Sequence, residues 1–328
     1  MIRVHRQQCR GKLLVTGGAG YIGSHLLVEL LNSGYSVVVL DNLSQSETNT
    51  LRQVEQLTGQ SVELVVGDVQ DALLLRRVFA DYQIEAVLHL AGLKVLHLSL
   101  CEPLLYYLNN VAATLTLCRV MADAGVFRLI FSSSAAVYGQ PSVLPVVESC
   151  PVSLDVSPYA RSKLMIEACL QDLVASGEPW SIAVLRYFNP LGAHPSGCLF
   201  SECWWRVPGL QSHLLLAAQQ DKPFTVYQPS KPTNDATGIR DFIHVVDLAK
   251  GHLAALAALE RYQGFNCWNL GRGCGSSVLE VVNALEKVIG HQLALRWAAV
   301  PSDEVPECWA GVESATKDLG WSAELPFD

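Results

Sequence analysis

The chain has 328 residues, half of them hydrophobic and 16% charged, with a net charge of −8 at neutral pH. That length allows one large domain or two smaller ones, with ample material for a buried core. The acidic balance, with no basic stripe, excludes a nucleic-acid surface; no apolar run reaches the length of a membrane span, and Met1-Ile2-Arg3-Val4-His5-Arg6 lacks the apolar core of a signal peptide. Ten cysteines are scattered without a Cys-x-x-Cys pair, and the nearest spacings, Cys198 to Cys203 and Cys267 to Cys274, have no matching histidine. Reduced, partly buried thiols in a cytoplasmic protein are expected, not a metal site or a disulfide framework.

Lys12-Leu13-Leu14-Val15-Thr16 reads as a short strand, followed by Gly17-Gly18-Ala19-Gly20-Tyr21-Ile22-Gly23 and a helical pattern from Ser24 to Ser33. Strand, glycine turn and helix in that order are what a dinucleotide-binding loop requires. Gly17 permits the tight turn, Gly20 lets the backbone approach a pyrophosphate, and Gly23 allows close helix–strand packing. The helix start offers free N–H groups and a positive dipole end to phosphates. The next strand, Ser36 to Leu40, ends in Asp41-Asn42. An acid there suits an adenosine ribose 2′-OH and repels a 2′-phosphate, which favours NAD over NADP. Val62 to Val66 leads into Gly67-Asp68-Val69, where an acid past a strand end can meet the adenine.

Ala72 to Tyr82 reads as a helix, and Glu85 to Leu90 as a strand ending in Ala91-Gly92-Leu93-Lys94. Pro103 to Ala124 is helical, and Arg128 to Phe131 is a strand that delivers Ser132-Ser133-Ser134 at its carboxyl end. Pro158 starts a helix carrying Tyr159 and Lys163, and Ser181 to Tyr187 is a strand ending at Phe188-Asn189-Pro190. This β-α-β rhythm predicts an α/β fold with a doubly wound parallel sheet and its ligand at the carboxyl ends of the strands. Beyond Pro190 the rhythm weakens into long loops with Pro208, Pro223, Pro229 and Pro232. A dinucleotide-binding domain over 11–189 and a smaller substrate region over 190–328 follow.

Tyr159 and Lys163 are four positions apart, so on a helix the phenol and the ammonium project from one face. A tyrosine with a pKa near 10 is a poor base at neutral pH. Bringing it to about 7 takes roughly 4 kcal/mol, about what one cation at ~4 Å supplies at an effective dielectric of ~20. A nearby serine hydroxyl can then pass or hold a proton. Other polar residues carry plainer readings. Lys94 could be a solvated loop cation, Asn189 a turn former before Pro190, and Arg240-Asp241 a mutual pair. His89, His194 and His244 have no partners at metal or triad spacing and read as structural, and Trp204-Trp205 reads as packing before ligand stacking.

Taken together, Thr16-Gly-Gly-Ala-Gly-Tyr-Ile-Gly-Ser-His25, Asp41-Asn42-Leu43, Ala91-Gly92-Leu93-Lys94, Ser132-Ser-Ser-Ala-Ala-Val-Tyr-Gly139, Ser157-Pro-Tyr-Ala-Arg-Ser-Lys163, Leu185-Arg-Tyr-Phe-Asn-Pro-Leu-Gly-Ala-His-Pro-Ser-Gly197 and Gly238-Ile-Arg-Asp-Phe-Ile-His-Val-Val-Asp-Leu-Ala249 closely resemble the UDP-glucose (UDP-galactose) 4-epimerases, extended short-chain dehydrogenases. The resemblance runs from about residue 11 to about 285. It implies a Rossmann-type fold, NAD held as a prosthetic group, and epimerisation at C4 of a UDP-sugar through a 4-keto intermediate. Tyr159 would take the 4-OH proton while C4 gives hydride to NAD. Lys163 would lower the tyrosine pKa, and Ser134 would hydrogen-bond the 4-oxygen. The resemblance also assigns Tyr21, Ile22, Asp41, Asn42, Asp68, Val69, Leu90, Ala91, Gly92, Lys94, Asn109 and Phe188 to the cofactor, beside Gly17, Gly20 and Gly23. To the substrate it assigns Ser134, Tyr159, Asn189, Tyr227, Arg240 and Cys308, with the Arg240 guanidinium suited to the UDP phosphates. A homodimer through two helices of the NAD-binding region is implied as well.

Departures from the family's pattern fall on the substrate side. Where the family carries Pro-Asn-Asn-Leu at a helix start, this chain has Pro208-Gly209-Leu210-Gln211, and the preceding Cys198 to Trp205 is atypical. Where it carries Arg-Glu-Gly-Asp ahead of Pro-x-Tyr-Trp-Ala, this chain has Pro301-Ser302-Asp303-Glu304-Val305-Pro306-Glu307-Cys308-Trp309-Ala310, without the Arg. Each lost charge-assisted phosphate contact costs about 1.5–3 kcal/mol. Cys308, standing where a bulky Tyr lines the sugar pocket, is expected to leave room for a 2-N-acetyl group. The chain stops at Phe327-Asp328, where relatives continue into a further helix, which reads as a truncated C-terminus. Two alternatives stay open at this level: a non-catalytic NAD-binding sensor with a degraded substrate site, and another nucleotide-sugar short-chain dehydrogenase. Among the latter, a 4,6-dehydratase would place an acidic pair where Ala135-Ala136 stand.

Overall fold

A computed structural model describes residues 11–206, 208–229, 231–299 and 305–326. The start of the chain, the segment Pro301 to Glu304 and the final Phe327-Asp328, all read above, lie outside the described residues. In chain order the first half runs β1 (Lys12–Thr16), α1 (Tyr21–Asn32), β2 (Val37–Asp41), α2 (Thr48–Thr58), β3 (Glu63–Val66), α3 (Ala72–Tyr82), β4 (Ile84–His89), α4 (Leu96–Cys101), α5 (Pro103–Tyr106), α6 (Ala113–Asp123), β5 (Arg128–Ser134), α7 (Pro158–Ala175) and β6 (Ser181–Tyr187). The second half runs β7 (Asn189–Leu191), α8 (Glu202–Arg206), α9 (Leu210–Gln220), β8 (Phe224–Gln228), β9 (Ile239–Arg240), β10 (Phe242–His244), α10 (Val245–Ala258), β11 (Gly264–Leu270), β12 (Ser276–Ser277), α11 (Val278–Ile289), β13 (Leu295–Ala299) and β14 (Glu307–Cys308).

Seven strands form one parallel sheet in the order β11-β6-β5-β4-β1-β2-β3. β2 and β3 build outward on one side of β1, and the chain then crosses to β4 on the other side. The switch point therefore lies between β1 and β4, where a doubly wound sheet opens a crevice at its strand ends. Alternation along each strand feeds two cores. Leu13 and Val15 of β1 pack with Leu26, Leu27 and Leu30 of α1 and Leu248 and Leu256 of α10. Leu14 packs on the opposite face with Leu75 of α3, Leu117 and Met121 of α6, and Ile166 and Leu170 of α7. All these leucines are essentially inaccessible to water, and each contributes about 1.5–3 kcal/mol by burial.

Two differences from the sequence expectation and one feature of the topology bear on the site. The strand expected at Arg128 to Phe131 continues through the serines, because Ser132, Ser133 and Ser134 pair with Leu185, Arg186 and Tyr187 of β6. Tertiary pairing overrides the weak strand preference of serine. The helix expected from Pro103 to Ala124 is interrupted by a π-helical stretch, Tyr107–Ala112. There the Asn110 amide accepts a hydrogen bond from Leu93 N (2.8 Å) and donates to Leu93 O (3.0 Å) and Ser162 Oγ (3.1 Å). That side chain ties the β4 loop to α7, and such a bulge commonly marks a functional site. Finally, part of the chain beyond residue 190 returns to the parallel sheet. α10 packs on α1, and β11 joins the edge of the parallel sheet beside β6. What remains apart is a smaller layer of α9, α11, β8 and β13 with its own core of Leu214, Phe224, Val226, Val281 and Val282.

Candidate active site

A cleft of about 1060 Å³ lies across the carboxyl ends of β1, β2, β4, β5 and β6, with α9, β9 and β14 forming its other wall. Ser134 is the last residue of β5, and Tyr159 lies in the first turn of α7. That helix starts where predicted, because Pro158 takes the first helical position and the Ser157 hydroxyl accepts from Ala160 N (3.3 Å). Ser134, Tyr159 and Lys163 all line the cleft, and the Ser134 hydroxyl accepts from Ala136 N at 3.2 Å.

Lys163 is buried. Its ammonium donates to Ser132 O at 2.7 Å and lies over the Phe131 ring, 4.8 Å from the centroid. Burial lowers its pKa to about 8, against the opposing pull of Glu167 one turn further along α7. At the Tyr159 phenol the balance differs from the simple expectation of a depressed pKa. Burial dominates and holds it above 10, Ser134 pulls it down, and Tyr106 pushes it up. With the ammonium bound to a backbone carbonyl, desolvation of the phenolate outweighs what stabilises it.

A buried ion pair underlies this group. Glu167 accepts from Ser133 Oγ at 2.5 Å and from Arg186 Nη2 at 2.6 Å and Nε at 3.2 Å. Arg186 also donates to Tyr138 OH at 3.0 Å, which donates to Asn269 Oδ1 at 2.7 Å. β5, β6, β11 and α7 are thereby fixed to one another beneath the serines. Nothing in the sequence reading singled out this pair, although Glu167 follows Lys163 at the same four-residue spacing that drew attention to Tyr159.

The glycine turn has the form a dinucleotide needs. Gly17 has φ +72°, and a Cβ there would come within 2.8 Å of Ala91 N. At Gly23 a Cβ would sit 2.3 Å from Gly17 O, so any larger residue would push α1 off the turn. No side chain caps the first turn of α1, whose N-cap is Gly20, so its N–H groups face the cleft as anion donors. Asp41 is buried and accepts from Ala19 N (3.0 Å), Leu43 N (2.9 Å) and Ser46 Oγ (2.8 Å). Asp68 accepts from Asn42 Nδ2 at 2.8 Å, bringing the predicted adenosine-side residues together. Among the described lining residues, that end of the cleft carries Asp41 and Asp68 and no cation. Ile22, Val69, Leu90, Ala91, Gly92, Lys94, Asn109 and Phe188 line the same cleft, with Lys94 exposed at the mouth.

On the opposite wall, Asn189, Arg240 and Cys308 line the cleft. Arg240 and Cys308 are cross-strand partners on β9 and β14, which brings the predicted phosphate and sugar residues side by side. Arg240 Nη1 donates to Ile239 O (2.9 Å) and Pro306 O (3.1 Å), and burial raises the Cys308 thiol to about 11. The Asp241 carboxylate accepts from Arg272 N (2.7 Å), Gly273 N (3.0 Å) and Ala310 N (3.1 Å), fixing the loop beneath β14. Tyr227 sits half-exposed on β8 and is not among the described residues lining the cleft. Pro208, Gly209, Leu210 and Gln211 do line it, at the start of α9.

Residues 13–271 match the NAD dependent epimerase/dehydratase family. The chain belongs to that family. It is 45% identical over 317 residues to the UDP-glucose 4-epimerase of Bacillus subtilis (strain 168), covering 95% of this chain and 92% of that one. To the UDP-glucose 4-epimerase of Homo sapiens it is 43% identical over 328 residues, covering 97% and 93%. Among solved structures, the UDP-glucose 4-epimerase from Bifidobacterium longum in complex with NAD+ and UDP superimposes with a TM-score of 0.90 at 43% identity, covering 97% of this chain and 95% of that one.

The three histidines read as structural have local partners. His89 bonds Thr16 Oγ1 (2.7 Å) and Thr114 Oγ1 (2.9 Å), and burial lowers its pKa to about 3. His194 bonds Ser196 Oγ at 2.8 Å within its own turn, and His244 accepts from Val246 N at 3.2 Å as the N-cap of α10. Trp204 packs edge-on to Tyr21 at 5.2 Å and also borders the cleft. Leu96, His97 and Leu100 of α4 were not anticipated as lining residues. Their exposure at the cleft mouth follows from the turn after Lys94, which no local pattern announces.

Proposed function

We propose that this chain is an NAD-dependent epimerase that interconverts UDP-glucose and UDP-galactose at C4, with Tyr159, Ser134 and Lys163 as its catalytic residues. The observation that carries the proposal is the convergence of Ser134, Tyr159 and Lys163 on the cleft that holds the glycine turn. The 45% identity to a UDP-glucose 4-epimerase over nearly the whole chain supports the same reaction.

Gly17, Gly20 and Gly23 with the first turn of α1 would hold the NAD diphosphate, Asp41 and Asp68 the adenosine, and Lys163 and Phe188 the nicotinamide end. Bound NAD+ supplies the two-electron acceptor and donor for C4 and a positive ring that favours a nearby phenolate. Tyr159 then takes the proton of the 4-hydroxyl, and Ser134 holds the 4-oxygen while its charge changes. Lys163, as ammonium, stabilises the phenolate, and the Glu167–Arg186 pair holds the strand and helix that carry the group. Turning the resulting 4-keto sugar in the cleft exposes its other face, and Tyr159 returns the proton. On the facing wall Arg240 would hold the diphosphate and Asn189 the sugar. The smaller Cys308 would leave room for 2-N-acetyl sugars. The catalytic framework then comprises 11–189 together with the returning α10 and β11, and the remainder of 190–328 is the substrate region.

A dimer accompanies this reading. Leu104, Leu108 and Leu115, on the stretch from α5 to α6, and Met165 of α7 are exposed large apolar side chains, with Leu104 74% exposed. Exposed apolar side chains on these helices suit a second copy of the chain, and sedimentation as a monomer at micromolar concentration would remove it. None of the described helices is long and apolar enough to cross a membrane, and the described cysteines are free thiols, which agrees with the cytoplasm. The experiment for the activity is direct: purified protein mixed with UDP-glucose, without added NAD, should accumulate UDP-galactose. Retention of NAD with no conversion would favour the sensor reading instead.

A further inference from the structure

Tyr21 makes more contacts than a cofactor loop needs. Its phenol donates to Gly192 O at 2.6 Å and lies 3.3 Å from Gln211 Oε1, while Gln211 Nε2 donates to the same Gly192 carbonyl at 3.1 Å. The three groups close a small ring of hydrogen bonds in which Gly192 O accepts twice. The ring of Tyr21 meets Trp204 edge-on at 5.2 Å, and the Lys94 ammonium lies 5.9 Å from its centroid. Gly192 cannot move aside by substitution: its φ is +91°, and a Cβ there would come within 2.7 Å of the His244 ring. The first turn of α1, the loop after β7 and the first turn of α9 are therefore joined at one point, and all three line the cleft.

Tyr21 belongs to the glycine turn, and Gly192 and Gln211 belong to the facing wall. A ligand lying along the strand ends from Asp41 to Tyr159 passes this junction. It can leave sideways only if the two walls part. Gln211 stands in the segment that departs from the expected Pro-Asn-Asn-Leu pattern, so its amide gives this chain a bond that the pattern's apolar leucine would not. We propose that Tyr21, Gly192 and Gln211 form a clasp that closes the cleft over the dinucleotide and sets its residence time, with Gln211 as a positioning residue. The proposal rests on the reading of this cleft as an NAD site.

The test is the rate at which protein-bound NAD exchanges with excess isotopically labelled NAD, measured for the full chain and for Gln211→Leu, Tyr21→Phe and the double variant. Removing one neutral hydrogen bond should speed release roughly 2–10-fold. Because both bonds end on the Gly192 carbonyl, the double variant should release NAD more slowly than the product of the two single effects predicts. Tyr21→Phe keeps the ring contacts, so it separates loss of the bond from loss of packing. Unchanged exchange in Gln211→Leu, or strictly multiplicative effects, would overturn the clasp and leave the NAD reading standing. A wild-type protein that binds no dinucleotide would overturn both.

Discussion

The two walls of the cleft are built differently. On one side, Asp41, Ser134 and Phe188 stand at or just past the ends of parallel strands hydrogen-bonded to neighbours on both flanks. On the other, Arg240 and Cys308 sit on strands of two residues each, held by loops and by the Asp241 carboxylate. The rigid wall carries the residues proposed for proton and hydride transfer, and it keeps the family's motifs in order. The loop-built wall carries the departures, Pro208-Gly209-Leu210-Gln211 and Cys308. Side chains on short, solvent-bordered elements can change without disturbing a core, so substrate choice can shift while the chemistry stays fixed.

The contrast predicts where substitutions will act, and how strongly. Tyr159→Phe removes the proton acceptor from the rigid wall. Turnover should fall by about 10²–10⁴-fold while NAD stays bound, as measured by product formation and by NAD content after gel filtration. Near-normal turnover would remove Tyr159 from the mechanism. Arg240→Ala, on the other wall, should raise KM for the UDP-sugar by roughly 10–150-fold with a smaller change in kcat, the effect of one charge-assisted contact of about 1.5–3 kcal/mol. A fall in kcat alone would place that residue in the chemistry instead.

Cys308→Tyr should separate substrates rather than lower activity generally. Conversion of UDP-N-acetylglucosamine should drop at least about tenfold, and conversion of UDP-glucose by no more than a few-fold, the scale of one steric change in a pocket. A wild-type enzyme active on UDP-glucose only would rule out the room assigned to the acetyl group.

The smallest effect is in the pH profile. Lys163 is depressed from 10.5 to about 8 by burial, so its ammonium is lost as pH rises through that value, and turnover should decline on that alkaline limb. Stability runs the other way: between about 8 and 10.5 the unfolded chain binds more protons at this group, so Lys163 favours folding increasingly as pH rises through that window. A flat rate profile to pH 10 would mean that the charge on Lys163 does not matter.

How much of this was legible in the sequence follows from the same physics. The strands of the sheet announce themselves as apolar runs closed by glycines or acids, so Asp41, Asp68 and the turn from Gly17 to Gly23 could be assigned from local pattern. The Tyr159–Lys163 spacing is local too. Arg240 and Cys308 face each other across strands 68 residues apart in the chain, and their proximity came only from the resemblance. Arg186 and Glu167 are 19 residues apart on different elements, and no periodicity joins them. The return of β11 to the sheet edge is likewise a tertiary pairing, with Gly264 to Leu270 set against Ser181 to Tyr187. The π-helical stretch at Asn110 is a shift of one residue in a helical pattern, below what spacing can resolve.

The central claim is that C4 of the sugar is oxidised and then reduced within one cleft. Giving the enzyme UDP-glucose deuterated at C4 tests it most directly. The account predicts UDP-galactose that retains the deuterium at C4, with no label appearing in water. Loss of the label to solvent, or epimerisation that proceeds unchanged in Tyr159→Phe, would contradict it.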